Sequence, residues 1–203
     1  MATNFTLAII AGGKSSRMGT DKAFVNILGK SVIEHIIERL KDIGQEETIL
    51  ITNHAADYAH LSLPMYSDVY PEKGSLGGIY TAIYHSSSPY TFVVACDMPF
   101  VSPDLMRYMV ALAEVKSFDA IVPRVDGVAQ GVFALYNKFC LPLIQMSLSR
   151  NELKVISFYK NVRMRYVDEI EHDQFNPKGL AFYNVNTPLD LEEARRLAEG
   201  DTE

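Results

Sequence analysis

Near the start of the chain, residues Phe5-Thr-Leu-Ala-Ile-Ile-Ala11 form a continuous apolar run that passes without a spacer into Gly12-Gly13-Lys14-Ser15-Ser16-Arg17-Met18-Gly19. A run with no polar alternation suits a strand buried on both faces of a parallel sheet. Ser31 and Glu34 then have the spacing of a capping box, and Val32, Ile33, Ile36, Ile37 and Leu40 form one apolar stripe at helical period. This predicts a helix from about Val32 to about Asp42, stopped by Gly44. Residues 48–52 are a second short apolar strand ending at Asn53. Strand, loop, helix and strand make one βαβ unit, whose crossover is right-handed.

The alternation continues. Residues 67–78 read as a loop, 79–84 as a helical turn, and 90–96 as a third apolar strand ending at Asp97. Ser102, Pro103 and Asp104 have the character of N-cap, N1 and N2 of a helix reaching about Ala113. Residues 119–122 and 132–136 read as strands separated by the turn Asp126-Gly127. Residues 142–149 and 152–158 read as helical, 163–167 as a strand and 181–186 as the last strand. Thr187 and Pro188 then open a final helix. The fold expected is α/β: a Rossmann-like, open, mostly parallel sheet flanked by helices. A length of 203 residues fits one domain over 1–203.

A formal charge of −6 argues against a nucleic-acid coat protein, which needs a basic excess. Hydrophobic content of 48% and charged content of 22% exclude wholesale disorder. Cys96 and Cys140 alone make neither a disulfide framework nor a structural zinc site, and read as reduced thiols. His35, His54, His60, His85 and His172 show no metal-ligand spacing. Met1-Ala2-Thr3-Asn4 lacks a basic n-region, and no apolar run approaches the ~18 residues of a membrane span. The expectation is a cytoplasmic protein with neither nucleic acid nor membrane as partner.

Ligands of open α/β sheets bind beyond the carboxyl ends of the strands. That rule selects Ala11-Gly12-Gly13, Asn53, Asp97 and Asn184-Val185-Asn186, each placed after an expected strand. Adjacent glycines admit a ligand close to the backbone, and their N–H groups form an anion-binding concavity. Lys14, Arg17, Lys22 and Lys30 stand against the one acid Asp21, so the loop is locally positive on an acidic chain. This has the makings of a triphosphate cradle, although it matches neither a Walker A loop nor Gly-x-Gly-x-x-Gly. A solvated turn with scattered charges is the plainer alternative. Asp97, at the tip of a buried strand, is a natural Mg²⁺ ligand or an ordinary turn aspartate. Asp68 is a second candidate carboxylate, or an Asx-type turn residue. Asn184 and Asn186 have period-two spacing and share one strand face, where their amides could orient a phosphate or a metal-bound water.

Five blocks carry a resemblance: residues 7–19 with Asp21-Lys22, Gly29-Lys30-Ser-Val-Ile-Glu-His35, Gly74-Ser-Leu-Gly77-Gly78, Cys96-Asp97-Met98-Pro99-Phe100, and Phe182-Tyr-Asn184-Val-Asn186-Thr-Pro188. Taken together, the chain resembles the molybdenum cofactor guanylyltransferases. The first block is shared with sugar-phosphate and cytidylyl enzymes; the later ones point more narrowly. The resemblance implies transfer of GMP from GTP to the phosphate of molybdopterin, with release of pyrophosphate and a requirement for Mg²⁺. It implies that Ile10, Ala11, Gly12 and Gly13 contact the guanine nucleotide and that Arg17 and Lys22 hold the triphosphate. Asn53 and Asp68 make further nucleotide contacts, Asp97 binds Mg²⁺, and Asn184 and Asn186 lie near the pterin-side phosphate or the metal. Residues 1–115 would form the nucleotide-binding half and 116–203 the acceptor half. Other molybdenum cofactor biosynthesis proteins and acceptor apo-enzymes are the implied protein partners. One departure is Gln130-Gly131, where relatives often carry a proline before the following strand.

Three other readings compete. One is the same chemistry with CTP or with a sugar-phosphate or cobalamin-precursor acceptor. Another is a non-catalytic nucleotide-binding protein, disfavoured by Lys22 and Asp97. The third is a dinucleotide-dependent oxidoreductase, disfavoured by the missing Gly-x-Gly-x-x-Gly.

Overall fold

The computed structural model describes residues 3–12 and 22–200. In chain order these form β1 (Phe5–Ile10), β2 (Asn26–Ile27), β3 (Lys30–Ser31), α1 (Val32–Leu40), β4 (Glu47–Ile51), β5 (Met65–Tyr66), α2 (Gly74–His85) and β6 (Tyr90–Ala95). There follow α3 (Pro103–Val115), β7 (Ala120–Val125), β8 (Val128–Ala129), β9 (Phe133–Asn137), α4 (Leu141–Ser149), β10 (Met164–Val167), α5 (Glu169–His172) and α6 (Pro188–Gly200). The main sheet has eight strands in the order β10-β7-β9-β6-β1-β4-β5, with β8 paired to β7. Its β6-β1-β4-β5 portion is parallel, while β9 runs antiparallel to both β6 and β7. A mixed, mostly parallel sheet between helices is the architecture expected.

All six residues of β1 are buried, and they divide between two cores. Phe5, Leu7 and Ile9 join a core with α1, α3 and α6, while Ala8 and Ile10 join one with α2 and α4. Two-sided burial explains the unbroken apolar run. The Ser31–Glu34 capping box forms as read, and α1 buries Val32, Ile33, Ile36 and Leu40. Ser102 caps α3 through the N–H of Leu105, with Pro103 in the first turn.

Three expectations need correction. Residues 74–78 are the first turn of α2 rather than loop, so the helix spans Gly74–His85. The glycines there serve packing. A Cβ on Gly77 would lie 3.0 Å from the Tyr70 carbonyl oxygen, and one on Gly78 would lie 2.9 Å from Ile10 Cγ2. Their absence lets α2 press against the end of β1.

Asp126 and Gly127, both at positive φ, do form a turn, but it joins β7 to β8. Residues 130–132 then bulge, and the chain continues as β9 along the same edge of β7, with β6 on the other side of β9 and β10 on the other edge of β7.

Residues 181–186 are not a strand. Tight 3-10 turns run over Pro177–Phe182, and the chain then proceeds without a ladder. Local partners win over strand pairing here: Asn176 Oδ1 accepts from the N–H of Ala181, and the Tyr183 N–H donates to the Leu180 carbonyl. The segment 152–158 likewise forms a 3-10 helix, shifted to Val155–Asn161.

Gly78→Ala should destabilise the protein by about 1–3 kcal/mol, the usual cost of overpacking against a stiff β-branched neighbour. Gly12→Ala should not, because among the described residues no atom lies within 4 Å of its Cβ position. Thermal unfolding of the two variants checks the contrast; equal melting temperatures would refute it.

Candidate active site

The carboxyl ends of β1 and β6 lie side by side at the middle of the sheet. Ile10 is paired with Ala95, and the Cys96 N–H continues the ladder by donating to the Ile10 carbonyl at 3.1 Å. On the other flank the Ala11 N–H donates to the Ile51 carbonyl at 2.8 Å. Just past these ends lies a cavity of about 190 Å³, whose lining includes Ile10, Gly12, Ser75, Asp97, Asn184 and Asn186.

Asp97 is the carboxylate of this cavity. Its Oδ2 lies 3.9 Å from Lys22 Nζ. Its Oδ1 is buried and has no hydrogen-bond partner among the described residues. Burial pushes the Asp97 pKa up from the ordinary carboxylate value, and the Lys22 charge only partly opposes this. An orphaned carboxylate oxygen is costly unless a ligand completes it. One carboxylate in a cavity open to phosphate fits Mg²⁺, which takes one or two carboxylates and fills its sphere with phosphate oxygens and water. Among the described residues no group of three or more His, Cys, Asp and Glu side chains could hold a metal. Asp97 would therefore be the protein's main anchor for such an ion.

Lys22 opens the 3-10 turn Lys22–Phe24, and its Nζ donates to Asn186 Oδ1 at 2.6 Å. The Asn184-Val185-Asn186 segment reaches the site without being a strand. Its middle N–H, on Val185, donates to the Asp97 carbonyl at 2.9 Å while the Val185 side chain is fully buried. Asn184 Nδ2 donates to the Phe182 carbonyl. The two asparagines thus line one cavity, as the period-two spacing suggests, with the Val185 anchor in place of a ladder.

The remaining candidates divide. Ile10 and Gly12 line the cavity. Ala11 is buried. Asn53 and Asp68 bind each other: Asn53 Nδ2 donates to Asp68 Oδ2 at 2.8 Å, and the Asp68 N–H donates to Asn53 Oδ1 at 2.9 Å. This pair sits past the ends of β4 and β5 and is absent from the cavity lining. Gly13 and Arg17 lie outside the described residues. Sequence reasoning missed Ser75, Ala95, Cys96 and Val132 as lining residues. Reading residues 74–78 as the start of a helix would have brought Ser75 to this edge. Cys96 is half-buried rather than locked in the core; Cys140 is the buried thiol, pushed up to about 12 by burial.

Comparison with known proteins places the fold in a family. The family described as "MobA-like NTP transferase domain" matches residues 7–164. A "Probable molybdenum cofactor guanylyltransferase" of Pelotomaculum thermopropionicum is 38% identical over 96% of this chain and 93% of its own. A protein of the same name from Natranaerobius thermophilus is 34% identical over the full length of both. The crystal structure of molybdopterin-guanine dinucleotide biosynthesis protein A from Archaeoglobus fulgidus shares the fold, with a TM-score of 0.84 and 24% identity over 96% of this chain and 99% of that one. Fold and relatives together define a nucleotidyltransferase. The chain belongs to the MobA-like NTP transferase family.

The raised Asp97 pKa has a consequence for stability. A carboxyl that holds its proton more tightly when folded costs stability as pH rises through the folded pKa, and the penalty is complete above it. Asp97→Asn removes this penalty. The ligand-free variant should melt above the wild type at pH 7, with the gap closing as pH falls below the carboxylate range. A variant that melts lower at pH 7 would contradict this.

Proposed function

We propose that this nucleotidyltransferase moves GMP from GTP to the phosphate of molybdenum-bound molybdopterin, giving the guanine dinucleotide and pyrophosphate. The names of the full-length relatives support the substrate pair. The observation that carries the chemistry is the orphaned Asp97 Oδ1 beside Lys22, in a cavity at the carboxyl edge of the sheet.

The acceptor is already a phosphate anion and needs no strong base. Its oxygen attacks the α-phosphorus in line, the bond from that phosphorus to the β-phosphate bridging oxygen breaks, and pyrophosphate leaves with the electron pair. The barrier is like-charge repulsion and charge growing on the leaving group, which positioned cations relieve. Lys22, oriented by Asn186, supplies one such charge. Mg²⁺ held by Asp97 would neutralise phosphate charge. Gly12 has no described atom within 4 Å of its Cβ position and no positive φ, which supports close approach of a nucleotide there. Gly13 and Arg17 follow it in the sequence and would extend the contact to the triphosphate. Ile10 would line the nucleoside, Asn53 and Asp68 would bound its far end, and Asn184 would face the acceptor phosphate.

Lys22→Ala should lower turnover by about 100-fold or more, the usual loss for one such donor. Pyrophosphate release from GTP with a molybdopterin acceptor measures it, and near-wild-type transfer by the folded variant would remove Lys22 from the mechanism. In a thermal-shift panel of GTP, CTP, ATP and UTP with Mg²⁺, GTP should stabilise most, by about 2.7 kcal/mol at 100 times its dissociation constant. A larger shift with CTP would overturn the assigned base.

A further inference from the structure

Asp190 lies on α6, outside the cavity lining, yet its carboxylate is tied to the segment that carries both asparagines. Its Oδ2 accepts from the Asn186 N–H at 2.9 Å and from the Thr187 N–H at 2.8 Å. Its own N–H donates to Thr187 Oγ1 at 3.2 Å, and its carbonyl accepts from the Tyr183 hydroxyl at 2.8 Å. The bonds with Thr187 are those of a helix cap. The other two exceed what a cap requires: one fixes the backbone of Asn186, and the other ties Tyr183, before Asn184, to the same residue.

We infer that Asp190 is a positioning residue for nucleotidyl transfer, holding Asn186 so that its Oδ1 orients Lys22 Nζ. The inference rests on the proposed role of Lys22. Asn186 Oδ1 meets Lys22 Nζ at 2.6 Å, and that nitrogen lies 3.9 Å from Asp97. The backbone leading into Asn186 has two successive fixings: the Val185 N–H on the Asp97 carbonyl, and the Asn186 N–H on Asp190. Losing the second leaves the asparagine free to rotate about the first. The carboxylate acts here as a double acceptor, a task that a neutral amide oxygen can also perform.

The test is steady-state transfer and thermal unfolding on the full chain. Asp190→Ala should lower kcat by about 10- to 100-fold, the scale on which a small misplacement of a catalytic group is felt, with little change in the KM for GTP. Asp190→Asn should restore most of kcat. Thr187→Ala removes the hydroxyl half of the cap and should lower the melting temperature comparably while leaving kcat near wild type. In a Lys22→Ala background, Asp190→Ala should cost little further, because the two residues act in one chain of contacts. Full additivity, equal kcat losses for Thr187→Ala and Asp190→Ala, or wild-type kcat in Asp190→Ala would each overturn the inference. If Lys22→Ala alone retains turnover, the role given to Lys22 has failed, and with it any action of Asp190 through that lysine. Should Asp190→Ala fail to fold, Asp190→Asn in the presence and absence of Thr187→Ala still separates cap from position: kcat near wild type in Asp190→Asn supports the double-acceptor role, and a loss matching Asp190's complete removal from the chain of contacts refutes it.

Discussion

β1 is buried on both faces, so its backbone N–H and C=O groups must find their partners within the sheet. β4 on one side and β6 on the other supply them in parallel register, Ile10 aligning with both Ile51 and Ala95. Parallel alignment brings three carboxyl ends to one edge, and each opens a different loop there. Gly12 follows β1, Asn53 follows β4 and Asp97 follows β6. The site is thus a consequence of satisfying one buried strand. Helices on both faces close the two cores and leave that edge as the place where polar groups can gather.

At that edge the protein tolerates a local electrostatic cost. Asp97 is partly withdrawn from water, and one of its oxygens is buried with no donor among the described residues. Hydrogen-bonding both oxygens internally would have made a quieter protein with less to offer a cation. The spare acceptor is the feature on which the proposed role of Asp97 rests.

Much of this was legible in the sequence, and the failures have physical causes. β1, β4, β6, α1 and α3 were readable because an apolar run or stripe and a cap both spoke for them. The start of α2 was hidden because glycine disfavours helix in isolation, whereas here Gly77 and Gly78 permit close packing on Tyr70 and Ile10 that no local rule weighs. The Ala181–Asn186 segment alternates like a strand, but its backbone finds local partners, and Val185 alone bridges to Asp97. Asp97, Asn184 and Asn186 stood out as polar residues at expected strand ends and Lys22 as a charge of the glycine-rich stretch, and the structure gathers them. Asn53 and Asp68 stood out equally, yet their mutual hydrogen bonds needed three dimensions to appear. Ser75 gave no signal, since its place depends on the hidden helix start.

The Lys22–Asn186 hydrogen bond joins residues 164 positions apart. Closing so long a loop is entropically costly until the intervening sheet has formed. In chain order β1, β4 and β6 are all complete before the segment bearing the asparagines is made. A nascent chain can possess the glycine loop and Asp97 for much of its translation with the lysine's partner still missing. The partner of Lys22 therefore belongs to the last stretch of chain to be made, immediately ahead of α6.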